Sequence, residues 1–292
     1  MLHSITLSIA DFILKLSSEA VITLEEGYLP FVVKEDTRPA DITIDCFSGI
    51  PPVSFHWYDL VFEAKNETRK SYTIYRTENE LGFILYNRQS IDGIQQLALV
   101  DKTFSHWKVY SNPEPDGSLL PLRYPLGSII IYYLTVNTQA LLIRASCIFD
   151  GVKGRLFTGF SGNGKSTMSK IWANAGNLVI NDDRLIIRKQ EGSFFVYNTP
   201  MIYSDFPKKA PLNTIHLISH SHVNKIKKQP RALAVSKVMP FFFQNNLNKK
   251  YIHDHLDFLN DLCNHIPVYE LGFVPDTDII NFVLAREIRR TK

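Results

Sequence analysis

The run Gly159–Thr167, GFSGNGKST, places a glycine, four open positions, a second glycine, a lysine and a hydroxyl residue in the order of a phosphate-binding loop. The chemistry asks for those types. Glycines let the backbone N–H groups of Ser161, Gly162, Asn163 and Gly164 face an anion with no Cβ in the way. Lys165 would reach the β- and γ-phosphates of a nucleotide, Ser166 would offer its hydroxyl to magnesium, and Thr167 would add a further polar group as the following helix begins. The positive end of that helix would favour the same anion. Gly159 and Ser161 through Thr167 are therefore the candidate nucleotide-binding residues.

Three elements must position this loop. RLFTGF reads as a strand running into it, KSTMSKIWANAG as a helix closed by Gly176, and NLVINDD as a buried strand ending on Asp182 and Asp183. A strand, loop and helix followed at once by a strand make a βαβ unit. Its second strand should run parallel to the first and deliver both carboxylates beside the loop. One would hold magnesium and the other would take the proton of an attacking hydroxyl. The seventeen positions from Lys165 to Asp182 are fewer than in Ras-like switches, where the magnesium aspartate comes much later.

The rest of the composition narrows the class. The 292 residues are 45% hydrophobic and 21% charged, enough for a sizeable core and one or two domains. Lys and Arg number 32 against 29 Asp and Glu, and with no basic face interleaved with aromatics this argues against nucleic acid as a partner. Cys46, Cys147 and Cys263 are odd in number and far apart, which fits neither a disulfide framework nor a zinc site. The N-terminal residues lack a basic leader, and no stretch reaches the ~18 apolar residues of a membrane span. A cytoplasmic protein without membrane partners is expected.

Along the chain, residues 1–115 are short β-like runs between turn signals and read as an antiparallel sheet. The segment SNPEPDGSLLPLRYPLG changes texture, so a boundary is expected near residue 115. Residues 116–292 form the second domain. There SIIIYYLTVNTQ reads as a buried helix and ALLIRASCIF as a strand. RLIIRKQEGSFFVYN reads as a hairpin, and TIHLISHS and VYELGF as strands. Helices follow in ALAVSKVMPFFFQN, in YIHDHLDFLNDLCNHI and from about Asp276.

RLFTGFSGNGKST followed by NLVINDDRLIIR resembles the catalytic domain of HPr kinase/phosphorylase and the related ATP-type phosphoenolpyruvate carboxykinase fold, over roughly Leu122–Ile288. The resemblance implies an α/β, P-loop-containing catalytic domain of that kind behind a β-rich first domain, which would bind the acceptor or a partner. It implies ATP, or another nucleoside triphosphate, with Mg2+, and it suggests a homo-oligomer. The aspartate pair would serve catalysis and metal binding, with Asp182 leaning to base and Asp183, with Ser166, to the metal. One departure stands out. The family carries a histidine fifteen residues before the first loop glycine, and Arg144 occupies that position here. An arginine stays charged, so it would stabilise phosphate instead of exchanging a proton, which puts a reverse phosphorylase reaction in doubt.

Weaker signals remain. YSDFPKKAPL resembles a loop where such kinases meet substrate, with Lys208 and Lys209 as candidate contacts for an acidic group, against an ordinary solvated loop. His216, His220 and His222 share a strand face by period two but lack a carboxylate or thiol partner nearby for a metal. The reading is a phosphotransferase, a serine-kinase-like enzyme moving a γ-phosphoryl group to a hydroxyl of a protein or peptide, with Lys165, Arg144, Asp182 and Asp183 as catalytic groups. Alternatives are a small-molecule kinase acting on free serine or a similar hydroxyl, a carboxykinase, and a non-catalytic nucleotide sensor.

Overall fold

The structure, a computed structural model, describes residues 2–34, 36–51, 59–65, 69–87, 93–136, 138–243 and 249–288. It divides into two compact units, Met1–Asn137 with Pro200–Phe206, and Thr138–Thr199 with Pro207–Lys292. Among the described residues it is a mixed α/β chain with two large sheets.

The first unit holds β1 (His3–Ile9), β2 (Phe12–Ser18), β3 (Val32–Val33), β4 (Ile42–Ser48), β5 (Asp59–Lys65), β6 (Lys70–Arg76), β7 (Glu80–Tyr86), β8 (Ile94–Asp101), β9 (His106–Ser111) and helix α1 (Leu126–Val136). They form a sheet ordered β3-β1-β2-β4-β9-β8-β7-β6-β5. The expected antiparallel sheet is corrected to a mixed one, since β2 pairs β4 and β4 pairs β9 in parallel. The residue stretch between β2 and β4, with a 3-10 turn at Glu26–Phe31, returns the chain so that β4 runs the same way as β2. AVITL is no ladder strand; Ile22 makes a single bridge to Leu119.

The unit boundary also lies later than residue 115. Helix α1 belongs to the first unit because Tyr133 packs among Phe83, Phe104 and Trp107 of that sheet's core, with ring centroids 4.6–5.9 Å apart. The Pro- and Gly-rich segment before it is thus internal to a unit, and its turns mark a bend within a domain.

The second unit contains β10 (Ala140–Phe149), β11 (Gly154–Thr158), α2 (Lys165–Asn174), β12 (Leu178–Asn181), β13 (Arg184–Gln190), β14 (Ser193–Asn198), β15 (Lys209–His220), β16 (Lys225–Lys228), α3 (Arg231–Val238), α4 (Lys249–His265), β17 (Val268–Phe273) and α5 (Asp278–Ile288). The last residues of ALAVSKVMPFFFQN lie outside the described residues; α3 and a 3-10 turn at Met239–Phe241 account for the rest. The hairpin β13–β14 turns on Glu191 and Gly192, whose φ values of 48° and 79° suit a two-residue turn. Strands β10 and β15 are long enough to pair twice, so the pairings run β11-β10-β13-β14-β15 and return to β11.

Each face of this sheet is covered. Leu141, Ile143, Ala145 and Cys147 of β10 alternate onto a core shared with Ala234 and Val238 of α3 and Phe258, Leu259 and Leu262 of α4. On the opposite face Ile148 and Phe157 meet Met168 and Trp172 of α2 and Ile279 and Val283 of α5. Met168 and Trp172 stand four apart, the spacing that gives a helix one buried stripe. No helix among the described residues is long and apolar enough to cross a membrane.

Candidate active site

Strands β11 and β12 are each antiparallel to β10 and lie on its two sides, so they run parallel to each other with β10 between them. The expected βαβ direction therefore appears with one strand inserted. The glycine loop leaves the C-terminal end of β11, and Asp182 and Asp183 follow the C-terminal end of β12 at the same end of the sheet. Open sheets present ligands at this end.

The loop has the backbone its glycines allow. Gly162 and Gly164 sit at φ of 85° and 88°, and Gly164 caps α2. At Gly164 a Cβ would lie 2.7 Å from the Phe273 ring and 3.1 Å from His220. Two side chains fix the loop to β15: Asn163 Nδ2 donates to the Ile218 carbonyl at 3.0 Å, and His220 Nε2 lies 3.1 Å from the Gly162 carbonyl. A carbonyl only accepts, so that ring nitrogen carries the hydrogen. Neither role was legible in the sequence, because both partners arrive from a strand more than fifty residues away.

Lys165 Nζ donates to the carbonyls of Gly159 at 2.8 Å and Phe160 at 3.0 Å. Burial pushes its pKa down and the charge of Arg144 pushes the same way, while Asp183 opposes them. Arg144, Asp183 and Lys165 therefore share one electrostatic neighbourhood. Arg144 is the exposed residue of the otherwise buried or half-buried β10. It shares a face with Ser146, whose Oγ lies 3.5 Å from the Lys165 carbonyl. Thr158 donates to the Arg144 carbonyl at 2.8 Å, tying the loop's strand to this position.

The aspartates sit on a bend between β12 and β13, both of which pair with β10. Asn181, buried, builds the bend: its Oδ1 accepts from the Asp182 N–H at 2.7 Å and its Nδ2 donates to the Arg184 carbonyl at 3.0 Å. The Asn-Asp-Asp run carried that signal, since Asn favours side-chain-to-backbone turns. Asp183 faces Arg144 Nε at 3.5 Å and Arg184 Nε at 3.4 Å. Among the described residues the Asp182 carboxylate has no ion-pair partner.

Beside the loop a cleft of about 600 Å3 is lined by Gly159, Phe160, Lys225, Phe241 and Glu270. Phe160 and Phe241 meet edge-on across it at 5.1 Å. Its size suits a small organic ligand.

Lys209 begins β15, eight residues before Leu217, which pairs with Thr158 at the loop. At about 3.3 Å per residue that is the opposite end of the strand. There Lys209 bonds Gln190 Oε1 at 2.8 Å and lies over Phe195 and Tyr197, while the Lys208 N–H bonds Asn198. In register Lys209 pairs with Tyr197 and Lys208 meets Asn198, the end of β14 that lies opposite Leu185 and Ile186. On β15, His216 is buried between Phe157 and Tyr269, its pKa pushed down to about 3 by burial, while His220 serves the loop.

No protein-family model matches the sequence, and no curated protein matches it. Among solved structures, the Hpr(Ser) kinase/phosphatase from Coxiella burnetii aligns with a TM-score of 0.31 and 9% identity, over 51% of this chain and 97% of that one. A likeness of that size carries no weight for chemistry, so the functional reading rests on the site.

Proposed function

We propose that this chain is a phosphotransferase that moves the γ-phosphoryl group of ATP, or of another nucleoside triphosphate, to a hydroxyl group, that of a serine or threonine in a protein or peptide. One observation carries the reading: β10 holds β11 and β12 parallel on its two sides, which brings the glycine loop, Lys165 and the Asp182–Asp183 pair to one end of one sheet.

The residues fit the groups such a reaction needs. Left-handed glycines and a helix N-terminus suit a polyphosphate. The Ser166 hydroxyl and a carboxylate suit magnesium, which takes oxygen ligands and would neutralise phosphate charge when bound. Asp183 with Ser166 would hold that ion. Lys165 and Arg144 would balance the charge on the γ-phosphoryl oxygens. Asp182 would orient the acceptor hydroxyl and accept its proton as the bond to the β-phosphate oxygen breaks and the bond to the acceptor oxygen forms. We assign acceptor or partner binding to the first unit. A reducing, cytoplasmic setting suits Cys46, Cys147 and Cys263, all buried thiols that burial keeps protonated at neutral pH.

The test is transfer from γ-labelled ATP in the purified chain, with and without magnesium, against a lysate of the source cells. A labelled acceptor that disappears with Lys165→Ala is the expected result. Equal labelling with Lys165→Ala, or tight ATP binding with no labelled product, would overturn it.

A further inference from the structure

The glycine loop has two flanks in the sheet. On one side of β11, β10 and then β12 lead to Asp182 and Asp183. On the other side β15, β17 and β16 follow in that order, and the cleft of about 600 Å3 lies along them. A nucleotide carries its nucleoside and its γ-phosphoryl group at opposite ends of one phosphate chain. With the γ-phosphoryl group facing the aspartates, the nucleoside is left on the flank of the cleft.

Register orients the side chains of the cleft. Leu217 of β15 and Lys227 of β16 both pair with Glu270 of β17, so the three project onto one face of the sheet. Leu217 packs there against the core beneath α3 and α4, the face opposite α2.

Two features of the lining select its occupant. Phe160, inside the loop motif, is 67% exposed, and its ring meets Phe241 edge-on at 5.1 Å. A ring at that place does nothing for a phosphate, which asks for N–H donors and positive charge, whereas a planar base stacks on it. Glu270 adds an acceptor. Lys237 Nζ donates to Glu270 Oε1 and, at 2.7 Å, to Gln229 Oε1, which fixes the carboxylate. Among the described residues Glu270 Oε2 has no hydrogen-bond partner. A carboxylate repels phosphate and accepts from the amino group of a base or from a ribose hydroxyl.

We propose that this cleft is the nucleoside subsite of the phosphoryl donor: Phe160 and Phe241 stack on the base, and Glu270 accepts from N–H or O–H groups of the nucleoside. The subsite rests on the phosphotransfer reading, and it makes a nucleotide, not inorganic pyrophosphate, the preferred donor. Phe160, Phe241 and Glu270 are all outside the positions that a phosphate-binding loop specifies.

ADP and inorganic pyrophosphate are the probes, titrated separately by calorimetry at one magnesium concentration. The unmodified chain should bind ADP at least about tenfold more tightly than pyrophosphate. Phe160→Ala and Phe241→Ala should each weaken ADP binding by about tenfold and leave pyrophosphate within about twofold. Glu270→Gln should weaken ADP by about fivefold without weakening pyrophosphate. Phe160→Tyr, which keeps the ring, should retain ADP affinity. Since Phe160 is mostly exposed, its variants test the subsite even if Phe241→Ala fails to fold. Equal affinity of the unmodified chain for the two probes, ADP affinity unchanged in Phe160→Ala, or a parallel loss of both probes in that variant would overturn the subsite alone. Failure of the unmodified chain to bind either probe, or binding of both indifferent to Lys165→Ala, would overturn the phosphotransfer reading and the subsite together.

Discussion

The Lys165 ammonium is tethered to the carbonyl of Gly159, the first glycine of its own loop, at 2.8 Å. That bond closes the loop on itself and stations a positive charge against the Gly159 and Phe160 carbonyls at the start of α2. The lysine therefore needs little reordering to meet an anion, and its worth lies in binding more than in folding. Lys165→Ala should weaken nucleotide binding by about tenfold or more while shifting stability by less than about 1 kcal/mol, as a partly exposed side chain does. Titration with a fluorescent ATP analogue and thermal unfolding check the two halves separately.

Asp182 and Asp183 occupy one bend but have different neighbours, and their variants should differ accordingly. Asp182→Asn should lower phosphoryl transfer by about 100-fold or more, the usual worth of a general base, with nucleotide affinity nearly unchanged. Asp183→Asn should also suppress transfer, and it should need more magnesium to reach half-maximal activity than Asp182→Asn does. Turnover equal to the unmodified chain in both variants would remove the carboxylates from the mechanism.

Gly162 and Gly164 offer a matched comparison. Both have φ near 85°, but a Cβ at Gly162 meets nothing within 4 Å, while at Gly164 it would strike the Phe273 ring. Gly162→Ala should cost about 1–2 kcal/mol of backbone strain. Gly164→Ala should cost about 2–4 kcal/mol, because overpacking adds to the strain. Equal denaturation midpoints for the two variants would contradict the contact.

His216 makes stability depend on pH. It is buried and neutral in the folded state with a pKa of about 3, against an ordinary value of 6.5 in the unfolded chain. Its contribution is complete above pH 6.5. Below that the unfolded state takes up a proton that the folded state does not, and stability should fall by about 1.4 kcal/mol per pH unit until the folded pKa is reached. His216→Phe should keep the stacking on Phe157 and Tyr269 and reduce the slope by one proton, measured by urea denaturation between pH 6.5 and 5.

Arg155 anchors the loop's strand to the last helix through Glu287, to Asp150, and to the face of Trp172 at 5.2 Å. Removing one member of such a buried network leaves its partners unpaired, so Arg155→Met should cost about 3–5 kcal/mol. Adding Glu287→Leu should recover part of that loss. Burial alone would raise the Glu287 pKa, but the Arg155 bonds and charge outweigh it and hold the carboxyl below its ordinary range. A carboxylate held low gives stability that is present above the unfolded pKa of about 4.5 and disappears as pH falls below it, and Arg155→Met should flatten that acid limb.

Local chemistry made much of the second unit legible in advance. Glycine spacing around Lys165 defined the loop, KSTMSKIWANAG its helix, and Gly176, at φ of 85°, marked that helix's end. VYELGF reads as a strand and forms β17, buried along most of its length. These features depend on residues within a turn or two of one another, so the sequence by itself determined them.

Only the tertiary structure decided which strand stands between β11 and β12, that Arg184 lies opposite Arg144, and that His220 reaches Gly162. It also packed α1 into the core of the first unit. The physical reason is common to all of them. Strand pairing joins residues tens of positions apart through backbone hydrogen bonds that nearly any side chain permits, so register and neighbour order are set by how the whole core packs, not by local residue type.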